Sequence, residues 1–211
     1  MKKFKAVVFD VDGTLIDTTE LIFKSFEHTL SEHNLPVRAR EEIRKELGKH
    51  ISEIYKVLAP SVSNPKELID THFNFQKKIL HIANVFPNVL DTIKKLKAKG
   101  VKVAAFSNRI RTSRKSLEIA GLTPFLDFVI TAEDITHPKP HPEIVEKILE
   151  YLKVKPADTI LVGDSQTDIL TGKNAKVKTI GVTYGTHGEK IRKSRPDFVV
   201  NNISEILPII L

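Results

Sequence analysis

The chain has 211 residues, long enough for one sizeable α/β domain or a core with a small insertion. It has no cysteine, which excludes disulfides, thiolate catalysis and cysteine-bound zinc and makes a cytoplasmic location the default expectation. The formal net charge of +7 is spread along the chain without an arginine-rich tract, so we expect no nucleic-acid partner but a mild bias toward small anions; no apolar run is long enough for a membrane span.

In chain order, residues 4–9 read as a buried strand, apolar until two aspartates follow. Residues 18–33 have helical spacing, with Leu21, Ile22, Phe26 and Leu30 on one face. Further helices are predicted over 40–47, 52–58 and 65–82, so the chain from 15 to the low eighties reads as entirely helical. The pattern then alternates. Helices are predicted over 88–99, 112–120, 142–152 and 167–174, with strands over 101–106, 128–131, 159–162, 177–182 and 198–200 and a C-terminal helix. Strands alternating with helices imply a mostly parallel sheet with helices on both faces. The expected fold is therefore α/β: a Rossmann-like core of residues 1–14 and 84–211, with an α-helical cap of residues 15–83 inserted after the first strand.

Ligands in such sheets bind beyond the carboxyl ends of the strands, and here those ends are polar. The first strand runs into Asp10-Val11-Asp12-Gly13-Thr14 and the second into Ser107-Asn108-Arg109. After the third comes His137-Pro138-Lys139-Pro140-His141, and the fourth runs into Gly163-Asp164-Ser165-Gln166-Thr167-Asp168. Carboxylates with room for water suit magnesium, a hard cation that prefers oxygen ligands. A carboxylate can attack phosphorus, and a second carboxyl two residues along can move the proton. A lysine would offset the concentrated negative charge.

These four stretches, in this order and spacing, resemble the four motifs of the haloacid dehalogenase superfamily, and the helical insert resembles its small helical cap. The resemblance implies that Asp10 is the nucleophile and a magnesium ligand, and that Asp12 is the general acid/base, its carbonyl also binding the metal. It implies that Thr14, Ser107, Asn108 and Lys139 bind substrate, that Asp164 is a further metal ligand, and that Asp168 supports the metal site and Lys139. The acid/base aspartate at position 12 favours phosphate esters or anhydrides over halogenated acids.

Alternatives stand beside this reading. Ser107-Asn108 could cap a helix, Lys139 could be an exposed loop lysine, and Arg109 could contact substrate but is expected to be solvated. His137 and His141 are not expected to hold zinc, because no HExxH or Cys-His pattern accompanies them. Gly48-Lys49-His50 resembles a cap specificity loop; Gly48 could instead end a helix, while Lys49 and His50 could bind a carboxylate or second phosphate. The substrate expectation is a small phosphate monoester, phosphoglycolate-like. The alternatives are an inorganic pyrophosphatase on the same scaffold, to which the first cap helix and Asp168-Ile169-Leu170 are similar, a sugar phosphomutase, or a catalytically silent binding protein. The sequence leaves the oligomeric state open.

Overall fold

The computed structural model describes residues 3–211; residues 1 and 2, which the sequence reading assigns to the core, lie outside the described residues. The elements run β1 (Ala6–Asp10), β2 (Ile16–Asp17), α1 (Thr19–Glu32), α2 (Arg40–Glu46), α3 (Ile51–Leu58), α4 (Lys66–Lys78), β3 (Asn84–Val85), α5 (Val89–Ala98), β4 (Lys102–Ser107), α6 (Ser113–Ile119), β5 (Phe128–Thr131), α7 (Glu143–Leu152), β6 (Thr159–Gly163), α8 (Gln166–Asn174), β7 (Lys178–Val182), β8 (Phe198–Val200) and α9 (Leu207–Ile210).

Six strands form a parallel sheet in the order β5-β4-β1-β6-β7-β8. Strand β1 is apolar until its last residue, because helices cover both faces and leave no side for polar groups. Val7 and Phe9 point into one core with Val89, Ile93 and Leu96 of α5 and Ile210 of α9. Ala6 and Val8, one residue out of phase, point into the other with Ile144, Val145 and Ile148 of α7. This α/β core carries the expected α-helical insertion. Phe23, Phe26 and Leu30 of α1, Ile43 of α2, Tyr55 and Leu58 of α3 and Leu68 of α4 pack into a third apolar cluster of their own. Among the described residues, no helix is long and apolar enough to cross a membrane.

The sequence reading of an all-helical segment from residue 15 needs one correction. Chain leaving the sheet and chain returning to it pair as an antiparallel ribbon, Ile16 opposite Val85 and Asp17 opposite Asn84. Two-residue strands are too short to show any periodicity. The helix expected to reach residue 82 ends at Lys78, and a separate 3-10 turn covers Leu80–Ile82. Another 3-10 turn, Gly188–Ser194, was not expected at all.

The central strand β1 has β4 on one side and β6 on the other. From β1 the chain builds β4 and β5 on one side, then crosses back to β6 on the other, which opens a crevice at the carboxyl end of β1.

Candidate active site

Asp10 closes β1, aligned with Phe106 of β4, so Ser107 lies one step further along the neighbouring strand end. Gly13 turns the chain back with φ +88°, a conformation glycine adopts without strain. A side chain at Gly13 or at Gly185 would collide with the Asp164 carboxylate, so the two glycines let backbone close around it. Asp164 follows β6, and its Oδ2 accepts the Thr186 amide at 2.7 Å. Ser165 caps α8 reciprocally: its hydroxyl accepts the Asp168 amide at 3.2 Å, and Asp168 Oδ2 accepts the Ser165 amide at 3.0 Å.

Lys139 reaches this cluster from the loop after β5. Its Nζ lies 2.7 Å from Asp10 Oδ1 and 2.8 Å from Asp168 Oδ1, and 4.5 Å above the centre of the Phe106 ring. Lys139 is therefore buried, not an exposed loop lysine. Its loop is fastened by Glu143, whose carboxylate accepts the amides of Thr136 at 2.9 Å and His137 at 2.8 Å. Those bonds, that of Thr136 first, hold the Glu143 carboxyl down to about 2. His137 also bonds Glu143, 2.9 Å from Nδ1, and His141 Nδ1 accepts the Glu143 amide at 3.2 Å. The structure thus brings His137, His141 and Glu143 together at the surface. An accepting Nδ1 puts the neutral imidazole proton of His141 on Nε2, and the bonds make a loop fastening of the group.

Asp12 occupies a different setting from Asp10. Its Oδ2 accepts the Ser107 hydroxyl at 2.8 Å, and its Oδ1 accepts Arg109 Nε at 2.9 Å. Burial pushes the Asp12 carboxyl up, but Arg109 first, then the Ser107 and Thr18 hydroxyls, together outweigh it and hold the group below its usual value. The expectation of a solvated Arg109 is corrected: its side chain is 9% exposed, because the hydroxyls of Thr112 and Ser116 and the Asp12 carboxylate surround it. Ser107 and Asn108 do not cap α6. Asn108 donates to the Gly48 carbonyl of the insert at 3.2 Å and accepts the Lys139 amide at 3.2 Å, joining core, insert and loop.

One cavity between the sheet edge and the helical insert is lined by Asp10, Asp12, Asn108, Lys139, Asp164 and Asp168, with an apolar wall from the insert opposite. Two expected substrate-binding residues are not on its wall. Ser107 is fully buried behind Asp12, and Thr14 is fully buried with its hydroxyl unpartnered, its carbonyl accepting the Tyr184 hydroxyl at 2.9 Å. The short turn after Asp12 faces Thr14 away from the crevice. In the insert, Gly48 does follow the end of α2, with φ +95°. Lys49 lines the cavity while pairing with Glu46 at 2.6 Å; His50 instead caps α3 through Ser52 and is not on the wall.

Ligand oxygens of Asp10, Asp164 and Asp168 lie within 4.8 Å of one another, all buried. Burial and the Asp168 charge push Asp164 up to about 7 and Asp10 well above the carboxylate range. Burial works against the Lys139 charge too, but Asp10 and Asp168 more than offset it and raise its affinity for the proton. Counting Asp12 and Arg109, four carboxylates face two cations, which leaves two negative charges if all are ionised. A crowded all-oxygen donor set with that deficit fits a divalent hard cation.

The sequence reading raised a substrate contact for Arg109 but favoured a solvated side chain, and it missed Gln76 and His72 as site residues. Gln76 Oε1 accepts the Thr112 hydroxyl at 2.5 Å, and Gln76 Nε2 lies 3.3 Å from His72 Nε2, whose Nδ1 lies 2.9 Å from the Tyr55 hydroxyl. A usable signal was present: Thr112 and Ser116 stand three and seven residues after Arg109, a spacing that turns hydroxyls to one side.

Comparison with known proteins agrees with this geometry. The model of haloacid dehalogenase-like hydrolases matches residues 7–182. Pyrophosphatase PpaX of Bacillus pumilus is 36% identical over 206 residues, covering 97% of this chain and 95% of that protein. Pyrophosphatase PpaX of Anoxybacillus flavithermus is 37% identical over 208 residues, covering 97% and 95%. The crystal structure of a predicted phosphoglycolate phosphatase from Haemophilus somnus superposes with a TM-score of 0.90 at 25% identity, covering 99% of each chain. A family match over residues 7–182, with relatives above 30% identical over nearly the whole length, leaves one assignment: the chain belongs to the haloacid dehalogenase-like hydrolases.

Proposed function

We propose that this protein is a magnesium-dependent phosphatase that carries a phosphoryl group on Asp10 before passing it to water. One observation supports this most directly: two aspartates two residues apart sit in opposite electrostatic settings. Asp10 is crowded by Asp168 beside Lys139, while Asp12 is set apart on Arg109 and Ser107. With a divalent cation on the acidic cluster, Asp10 would return to the carboxylate a nucleophile needs, while Asp12, outside that cluster, is left to move the proton.

In this reading an Asp10 oxygen attacks phosphorus and the bond from phosphorus to the leaving oxygen breaks. Asp12, which takes up a proton once it leaves Arg109, gives that proton to the leaving oxygen, then takes one from the water that attacks the aspartyl phosphate. Inorganic phosphate leaves and the Asp10 carboxylate is restored. Lys139, fixed by two carboxylates, holds phosphoryl oxygens near the nucleophile. Asp10, Asp164 and the Asp12 carbonyl would hold Mg2+, with Asp168 in support; when bound, the ion offsets the repulsion between carboxylate and phosphate.

Two substrates fit, each favoured by a different observation. A carbon-bearing leaving group, as in a phosphoglycolate-like monoester, can meet the insert's apolar wall, which includes Ile22, Phe26, Leu47 and Ile54. Inorganic pyrophosphate is favoured by the relatives named pyrophosphatase at 36–37% identity over nearly the full length. A phosphate-release panel with magnesium, containing pyrophosphate, 2-phosphoglycolate and sugar phosphates, separates them. No release from any member, by protein that folds and binds magnesium, would reject the proposal.

A further inference from the structure

Arg109 has a second role available, and the argument for it rests on the phosphatase reading above. The guanidinium is a planar fork with five donors. One edge is fixed by uncharged groups: Nη1 donates to Thr112 Oγ1 at 2.7 Å and to Ser116 Oγ at 3.2 Å, and Nη2 to Ser116 Oγ at 3.1 Å. The other edge faces the cavity, where Nε and Nη2 both lie 2.9 Å from Asp12 Oδ1. Thr112 in turn donates to Gln76 of α4, so the helical insert helps to hold the fork.

Asp12 is therefore the single carboxylate among the described residues bonded to a guanidinium that is almost entirely withdrawn from water. In catalysis Asp12 must turn to the oxygen that bridges phosphorus and leaving group. That movement strips Arg109 of its counter-ion, and a buried charge left unpaired is strongly unfavourable. Another anion must take the place of Asp12. The other cations on the wall are already engaged: Lys139 by Asp10 and Asp168, Lys49 by Glu46. Arg109 also lies beside the proton donor, on the leaving-group side, whereas Lys139 lies beside the nucleophile.

We propose that Arg109 exchanges Asp12 for an anionic group on the leaving portion of the substrate, a carboxylate or a second phosphate, and thereby selects substrates that carry one. The fork suits both, since each offers two oxygens to the Nε–Nη2 edge. A substrate without that anion leaves Asp12 pinned and turns over slowly.

The test compares phosphate release from 2-phosphoglycolate, pyrophosphate and ethyl phosphate by the full-length protein with magnesium, in wild type, Arg109→Gln and Arg109→Lys. Ethyl phosphate shares the two-carbon ester of phosphoglycolate but lacks its carboxylate. In wild type, kcat/KM for phosphoglycolate or pyrophosphate is expected to exceed that for ethyl phosphate at least tenfold. Arg109→Gln reduces that preference at least tenfold, chiefly through KM, and Arg109→Lys restores part of it. The substrate that loses most identifies the anion as carboxylate or phosphate. Loss by one common factor, with the preference within twofold of wild type, overturns the proposal and confines Arg109 to holding Asp12. If Arg109→Gln does not fold, wild type alone decides: equal kcat/KM on all three substrates overturns it. Silence of wild type on every substrate is a distinct outcome, which rejects the phosphatase reading and this proposal with it.

Discussion

The Lys139 ammonium lies 2.7 Å from Asp10 Oδ1, although 129 residues separate them along the chain. The contact joins the end of the central strand to a loop on the far side of β4, and both partners are buried. Removing the lysine leaves Asp10 and Asp168 without a cation, an arrangement that costs about 3–5 kcal/mol. Lys139→Met is therefore expected to melt on the order of 10 °C below wild type and to lose activity. A melting curve indistinguishable from wild type would show that the pair adds nothing to stability.

Asp10→Asn separates chemistry from folding. Burial and the Asp168 charge disfavour the Asp10 carboxylate, so the amide is expected to keep or raise the melting temperature. Turnover should fall by about 10⁴-fold or more, because no nucleophile remains. Phosphate release near the wild-type rate would remove Asp10 from the mechanism.

Chelation gives a third expectation. EDTA should silence phosphate release and magnesium restore it, while calcium, with looser coordination, should substitute poorly. Magnesium should also raise the melting temperature as it binds the folded chain, and Asp164→Asn should blunt that shift. Full activity in EDTA would count against any metal in the acidic cluster.

His72 sets a pH dependence of stability. Burial first, then the Arg109 charge, pushes its imidazole down to about 3. Below pH 6.5 the unfolded chain takes up a proton that the folded chain refuses. The stability held by neutral His72 is thus fully present above 6.5 and lost as pH falls toward 3, by up to about 1.4 kcal/mol per pH unit. Denaturant titrations at several pH values should show a flatter slope in His72→Gln, which keeps polar contact with Tyr55 and Gln76. Parallel slopes would mean that another group governs acid unfolding.

Glu143 acts at one remove from the chemistry, by fastening the backbone that presents Lys139. In Glu143→Ala the amides of Thr136 and His137 lose their acceptor, and the melting temperature should fall. We expect kcat to drop several-fold while the magnesium requirement stays near wild type. A rise in that requirement, with kcat preserved, would place Glu143 in a different role.

The sheet was legible because its strands are short apolar runs closed by polar residues. In 101–106 and 159–162 the hydrophobic stretch stops where the crevice begins, so the strand ends marked the site as well as the fold. Asp10, Asp12, Lys139, Asp164 and Asp168 were all found in this way. What stayed hidden depends on side-chain direction. An arginine two residues past a strand reads alike whether it faces water or a crevice, and Arg109 faces the crevice because Thr112 and Ser116 receive it. His72 and Gln76 read as ordinary positions of an amphipathic helix, yet both are buried in a polar chain. Thr14 and His50 were drawn into the site by their neighbours in sequence, though the backbone turns one inward and uses the other to begin a helix.

The small ribbon of β2 and β3 has a mechanical consequence. Both crossings between sheet and insert are stitched to each other by main-chain pairing, and the Phe86 amide adds a further bond to the Leu15 carbonyl. Neither crossing can therefore twist or lengthen alone, and any excursion of α1–α4 bends both together. An insert that rocked on this ribbon would carry Gly48 and Gln76 in step, loosening their bonds to Asn108 and Thr112 at the same moment.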